Sequence, residues 1–299
     1  MNKKLTIVFF YMFLSTFSFG QNIKPDFINN YNRKTFELYD MLVCLDENQV
    51  MSSAFLNLSF SQVYLATKGG TSNQVADLML YNKNQDFHLN EFLEFQKIIT
   101  YNNSLNTNFN YSLNFFIEDS LKVLNKFVER TKNLITDSVI YVNFTDEKEE
   151  IADFLNNRIE LLSNNYIEKY FKPEHIPDNP NIMINSAVHF SGYFINKFNQ
   201  YIVSNFILDE TDKQMRNVRY LTTFDYFKYG ETSDYQIIEL PYEGYKISMI
   251  IILPKEIRNI KEFEEILNYD SYLLWRQKNM QMERVRAFIP EFSCSSLFD

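Results

Sequence analysis

The sequence predicts a mixed α+β protein in which helices come mostly first and strands mostly last. Two observations carry this. From Thr35 to Leu42 apolar residues recur three and four apart, the spacing of one helix face, whereas from Val218 onward short strand-like runs follow one another closely. In addition, no repeat, low-complexity tract or linker divides the chain, so a single domain is expected over residues 21–299.

The elements can be justified in order. A second helix is expected from about Ser53 to Thr67, stopped at Gly69-Gly70, with Thr71 and Gln74 forming a capping box for a third. Residues 109–118 alternate and then turn fully apolar, as a strand entering a covered sheet does. Val139 to Phe144 and Asn181 to Phe190 are further strand candidates. Between them Thr145 is placed to cap an amphipathic helix reaching about Ile167, with acidic residues at 146, 147, 149 and 150 where the helix dipole favours them. Strands are expected at Val218–Tyr229, Tyr235–Leu240, Tyr245–Leu253 and Arg284–Phe288, and a helix at Ile260–Gln277.

At the N-terminus, Lys3 and Lys4 precede an apolar run from Leu5 to Leu14, and Ser18-Phe19-Gly20 places small residues at the two positions a signal peptidase reads. Residues 1–20 are therefore expected to be a signal peptide whose removal leaves Gln21 first, giving a secreted protein with no membrane attachment. The alternative is an uncleaved anchor, since Phe17 and Phe19 extend the apolar stretch. Asn-X-Ser/Thr triplets at Asn102, Asn110 and Asn143 are candidate glycosylation sites; a fourth, Asn57, falls within an apolar helix expected to be buried. With only Cys44 and Cys294, the chain is not a disulfide-stapled scaffold.

Several chemistries are excluded. A net charge of −9 without a basic stripe argues against nucleic acid. With 6 glycines, of which only Gly69-Gly70 are adjacent and follow a helix, no nucleotide-binding turn is legible. There is no Gly-X-Ser-X-Gly elbow, and His88, His175 and His189 lack the spacing of metal ligands, so each reads as an isolated surface or core residue. Glu262, Glu264 and Glu265 read as the wet face of a helix. Neither catalysis nor a cofactor is expected.

Several segments, in order, resemble the serpin family. Ser52 to Leu58, running on to Gly69-Gly70-Thr71-Ser72-Asn73-Gln74, resembles the family's Ser-Pro-opened helix and the turn after it, with Ser53 in place of Pro. Val142-Asn143-Phe144 is similar to the Val-Asp-Phe before the sheet-covering helix. Ser186-Ala187-Val188-His189-Phe190-Ser191-Gly192-Tyr193-Phe194 resembles the strand Asn-Ala-Ile-Tyr-Phe-Lys-Gly-X-Trp, with Ser186 for Asn and Phe194 for Trp. The best match is Ile237 to Pro254, containing Glu239-Leu240-Pro241-Tyr242-Glu243-Gly244; Val285 to Phe292 resembles the Leu-Pro-Lys-Phe segment.

The resemblance implies a serpin-like α+β body with several N-terminal helices and multiple mostly antiparallel sheets. It places Ser52, Ser53 and Ser186 at the family's "shutter" and Phe194 at its "breach". It also implies serine-type endopeptidase inhibition, in which a cleaved reactive loop inserts as a new strand in the largest sheet, a known instance of strand addition. After Phe292 only Ser293 to Asp299 remain, so the loop and the last core strands are expected to be missing, and no reactive bond is assigned. Three readings follow: an incomplete secreted inhibitor whose loop-bearing form would meet a serine or cysteine protease; a diverged, non-inhibitory binding or structural protein; or another secreted α+β protein. In the first two, open strand edges invite self-association.

Overall fold

The computed structural model describes residues 8–11, 25–42, 50–100, 106–132, 139–209, 214–245, 247–255 and 265–293. The α+β expectation holds, with helices concentrated before residue 163 and strands after 181. The chain divides into two compact units, one of residues 19–31 and 52–191, the other of residues 1–18, 32–51 and 192–299.

The first unit contains the opening turns of α1 (Pro25–Leu42), then α2 (Ser53–Ala66), α3 (Gly69–Met79), α4 (Gln85–Thr100), α5 (Asn125–Thr131) and α6 (Lys148–Leu162). Its strands β2 (Thr107–Glu118), β3 (Ile140–Val142) and β4 (Ile182–Gly192) form a sheet ordered β3-β2-β4, in which β2 and β3 run parallel. The central strand β2 is covered on both faces, which explains its unbroken buried run from Ser112 to Ile117. On one face Phe116 and Val142 pack with Phe144 and with Ile151, Ala152 and Leu155 of α6. On the other, Phe115 and Ile117 meet Phe127 of α5 and Ile184 of β4.

Four local expectations are corrected here. Gly69-Gly70 open α3 instead of closing α2, which ends at Thr67; Gly69 (φ +60°) makes the turn between the two helices. The residue before α3 is Lys68, so Thr71 and Gln74 lie inside the helix and form no capping box. Thr145 does not cap α6 either. The Asn143 Oδ1 accepts from the backbone N–H groups of Thr145 and Asp146, each at 3.0 Å, and this turn delays the helix to Lys148. Nor does α6 reach Ile167: Asn164 and Asn165 adopt left-handed φ of 53° and 62°, and the Asn165 N–H closes on the Glu160 carbonyl at 2.8 Å.

The second unit is built on a sheet that is six-stranded among the described residues, ordered β1-β8-β7-β6-β5 with β9 also on β6. Its strands are β1 (Val8–Tyr11), β5 (Gln200–Asp209), β6 (Gln214–Glu231), β7 (Tyr235–Pro241), β8 (Ser248–Pro254) and β9 (Gln281–Pro290), all paired antiparallel. The long strand β6 takes β5 on its first half and β7 at its end, with β9 along the opposite edge. Ile237, Ile250 and Ile252 pack with Phe36, Tyr269, Tyr272 and Trp275. The last three come from α7 (Tyr269–Leu274) and the π-helical turn Trp275–Asn279 that continues it. Asn268 caps α7 by accepting from the Asp270 and Ser271 amides, each at 3.0 Å. Arg33 adds a two-point ion pair to Asp270 at 2.9 and 3.0 Å. The expected continuous helix Ile260–Gln277 is corrected: its first part lies outside the described residues, and the rest is broken at Leu267-Asn268, where the extended, capping Asn268 starts α7 afresh. Gly230 is required where β6 passes this turn, because a Cβ there would meet the Asn279 carbonyl oxygen at 2.4 Å.

Candidate functional site

In the first unit a row of polar side chains interrupts α2. Ser52 enters the helix in extended conformation and its hydroxyl makes no cap bond, although its carbonyl accepts from the Leu56 N–H at 3.2 Å. The Ser53 carbonyl accepts from the buried Asn57 Nδ2 at 3.0 Å. The Tyr31 phenol lies against Ser53, and burial pushes its pKa far up, so it stays protonated. Further along α2, the Ser59 hydroxyl donates to the Ser186 hydroxyl of β4 at 3.1 Å. This bond ties the helix to the strand carrying Ser186.

Two turns of α4 complete the cluster. The Ser61 Oγ and the His88 Nε2 are 2.8 Å apart and fully buried. The imidazole is enclosed by Tyr64, Tyr81 and Phe92 at ring distances of 5.0, 4.1 and 4.6 Å, and desolvation pushes its pKa down to about 3. A neutral His so enclosed is a core residue, one of the two readings, surface or core, that its isolation in the sequence left open. A serine–histidine pair sealed from solvent has no room for a substrate. His175 stands on the surface beside Lys172, and His189 lies on β4 with Tyr166 over it at 6.3 Å. Among the described residues no three His, Cys, Asp or Glu side chains gather as a metal set.

Phe194 belongs to the second unit. It bridges to Tyr242 and stacks on its ring at 4.6 Å and 23°, with the Phe198 ring at 5.8 Å. Tyr242 is the Tyr of the Leu-Pro-Tyr turn, which closes through Gly244 (φ +93°) and through the Tyr242 N–H donating to the Ile247 carbonyl at 2.9 Å. The sequence thus named both partners of this contact without pairing them.

Of the sequon residues, Asn57 is buried as expected, Asn110 is half-buried within β2, and Asn143 holds its turn with its amide donating to Asp146 at 3.0 Å. Asn102, Cys44, Cys294, Glu262 and Glu264 lie outside the described residues, and Glu265 is exposed. Of the three residues that the resemblance places at a shutter, the structure ties Ser186 to α2 through Ser59, a residue the sequence reading passed over. Its signal was present: polar side chains on an otherwise apolar helix must find buried partners.

A family model described as Serpin (serine protease inhibitor) matches residues 29–299. The chain belongs to the serpin family. It is 28% identical over 266 residues to an uncharacterized serpin-like protein of Methanosarcina acetivorans, covering 88% of this chain and 61% of that protein. Mouse Serpin B5 is 26% identical over 263 residues, 84% of this chain and 68% of its own. The chain therefore spans between three-fifths and seven-tenths of the length of these relatives. In fold it is similar to emu ovalbumin, with a TM-score of 0.79 at 18% identity, covering 88% of this chain and 72% of that one. Within this serpin, Ile151, Ala152 and Leu155 of α6 cover one face of the sheet to which β4 belongs. In the order β3-β2-β4, the far edge of β4 pairs with no strand among the described residues.

Proposed function

We propose that these residues form the body of a secreted serpin-type inhibitor of serine or cysteine proteases, with the far edge of β4 as the place where the reactive loop enters. The observation that carries the reading is the Ser59–Ser186 bond beside an open strand edge, on a sheet whose face is already covered by α6. An extended segment added there would satisfy the edge's backbone donors and acceptors, and the serine pair is the fastening that would slide. Secretion rests on the leader-like residues 1–20, and the body itself performs no catalysis.

A second reading has specific support. Ser53, Ser186 and Phe194 replace the family's Pro, Asn and Trp, which weakens the shutter and breach and favours a non-inhibitory binding role. The two are separated by mixing the chain with a panel of serine and cysteine proteases. Residues 1–299 alone are expected to give no adduct stable in denaturing detergent, because none of their recognised segments is a reactive loop. The inhibitor reading predicts that a form carrying a loop after Phe292 gives such an adduct; cleavage of that form without any adduct would support the non-inhibitory reading. An adduct with residues 1–299 alone would contradict the placement of the loop.

A further inference from the structure

The β6–β9 pairing sets Phe224 opposite Arg286 and Tyr226 opposite Arg284, so the four side chains leave the sheet on one face. There the guanidinium carbons of Arg284 and Arg286 lie 4.3 and 5.2 Å from the centre of the Phe224 ring. That ring remains 48% exposed, Tyr226 is 57% exposed and Phe288, on the same face, is 48% exposed. The neighbouring acids make no ion pair with these cations, although Asp225 feels the charge of Arg284 at longer range. Asp225 and Glu283 alternate to the other face, and Asp225 already accepts from Asn196 at 2.8 Å and from the Tyr226 N–H at 2.8 Å. Lys228, on the arginines' own face, is engaged by Glu239 at 3.7 Å. Among the described residues neither arginine forms an ion pair.

Two like charges converging on one ring repel each other, and a carboxylate between them would relieve this with charge-assisted hydrogen bonds. Uncovered aromatic rings beside them favour an apolar or aromatic contact. In a chain of net charge −9, the face is a local exception in sign. We propose that this face docks an acidic peptide segment of a partner protein that also presents an aromatic side chain: a carboxylate bridges Arg284 and Arg286, and the aromatic group covers Phe224 and Phe288. A sulfated polysaccharide fits less well, since two cations set among exposed rings are not a stripe, and the rest of the chain repels a polyanion. The proposal does not depend on the inhibitor reading.

The test uses the full chain and a fluorescein-labelled Glu-Phe-Glu-Glu-Tyr-Glu peptide, read by anisotropy at low and moderate salt. Binding is expected, weakened by salt, and weakened about tenfold or more in Arg284→Gln/Arg286→Gln. Phe224→Ala should weaken it with the charge retained. Arg219→Gln, on the opposite face, should leave it unchanged. All these positions are exposed, and Arg284→Lys/Arg286→Lys, which keeps the charge but loses the planar fork, should weaken binding to an intermediate degree in a chain with unaltered melting. Absence of binding, equal loss in Arg219→Gln, or a heparin fragment displacing the peptide from the same arginines more tightly than the peptide itself binds would each overturn the proposal.

Discussion

His88 shows how much a single residue's surroundings decide. In sequence it is one of three scattered histidines; in the fold it is enclosed by rings, and burial lowers its pKa from 6.5 to about 3. Between those values the unfolded chain takes a proton that the folded chain refuses. This group's contribution to stability therefore rises with pH across that window and is level above it, by up to about 1.4 kcal/mol per pH unit. Chemical denaturation of wild type and His88→Gln between pH 4 and 7 checks this: the variant should show a shallower loss on acidification, and parallel curves would count against it. The Ser59–Ser186 bond is measured at the same scale by a double-mutant cycle to alanine. A coupling of about 0.5–1.5 kcal/mol is expected, and additivity would mean that the two hydroxyls do not hold helix to strand.

At the scale of elements, β1 on the edge of β8 is the arrangement with the most consequence. Val8 pairs with Ile252 and Tyr11 with Met249, so part of the leader-like segment fills a strand position in the second sheet. Deleting residues 1–20 would bare the backbone groups of Met249 to Ile252. Sedimentation should show stronger concentration-dependent association for residues 21–299 than for residues 1–299; equal association of the two would contradict this. The elements themselves were unevenly legible. β2, β4 and β6 to β9 carry alternating or continuous apolar runs, because burial on one or two faces writes that pattern. β5 escaped notice: Tyr201 and Val203 are 64% and 62% exposed, so no burial contrast marks the strand. α4 went unread although Asn84 caps it by accepting from the Asp86 and Phe87 amides, at 3.0 and 3.1 Å, because its apolar residues spread around the helix. Gly69-Gly70 misled for a physical reason, since glycine serves a turn equally whether a helix is ending or beginning.

For the whole molecule, the family was legible before any coordinates, because its segments are short strings of packing and turn residues whose order is as informative as their identity. The site was less so. Ser186 and Phe194 were placed by resemblance, but their partners Ser59 and Tyr242 depend on chain segments brought together from far apart, which no local pattern encodes. The central claim is that the edge of β4 accepts a strand. Hydrogen exchange of the chain with a blocked Ala/Val-alternating peptide about as long as β4 tests it most directly. The account predicts new amide protection concentrated in Ile182–Gly192, with a raised melting temperature. Protection that appears only on β8 or β9, or none at all, would contradict it.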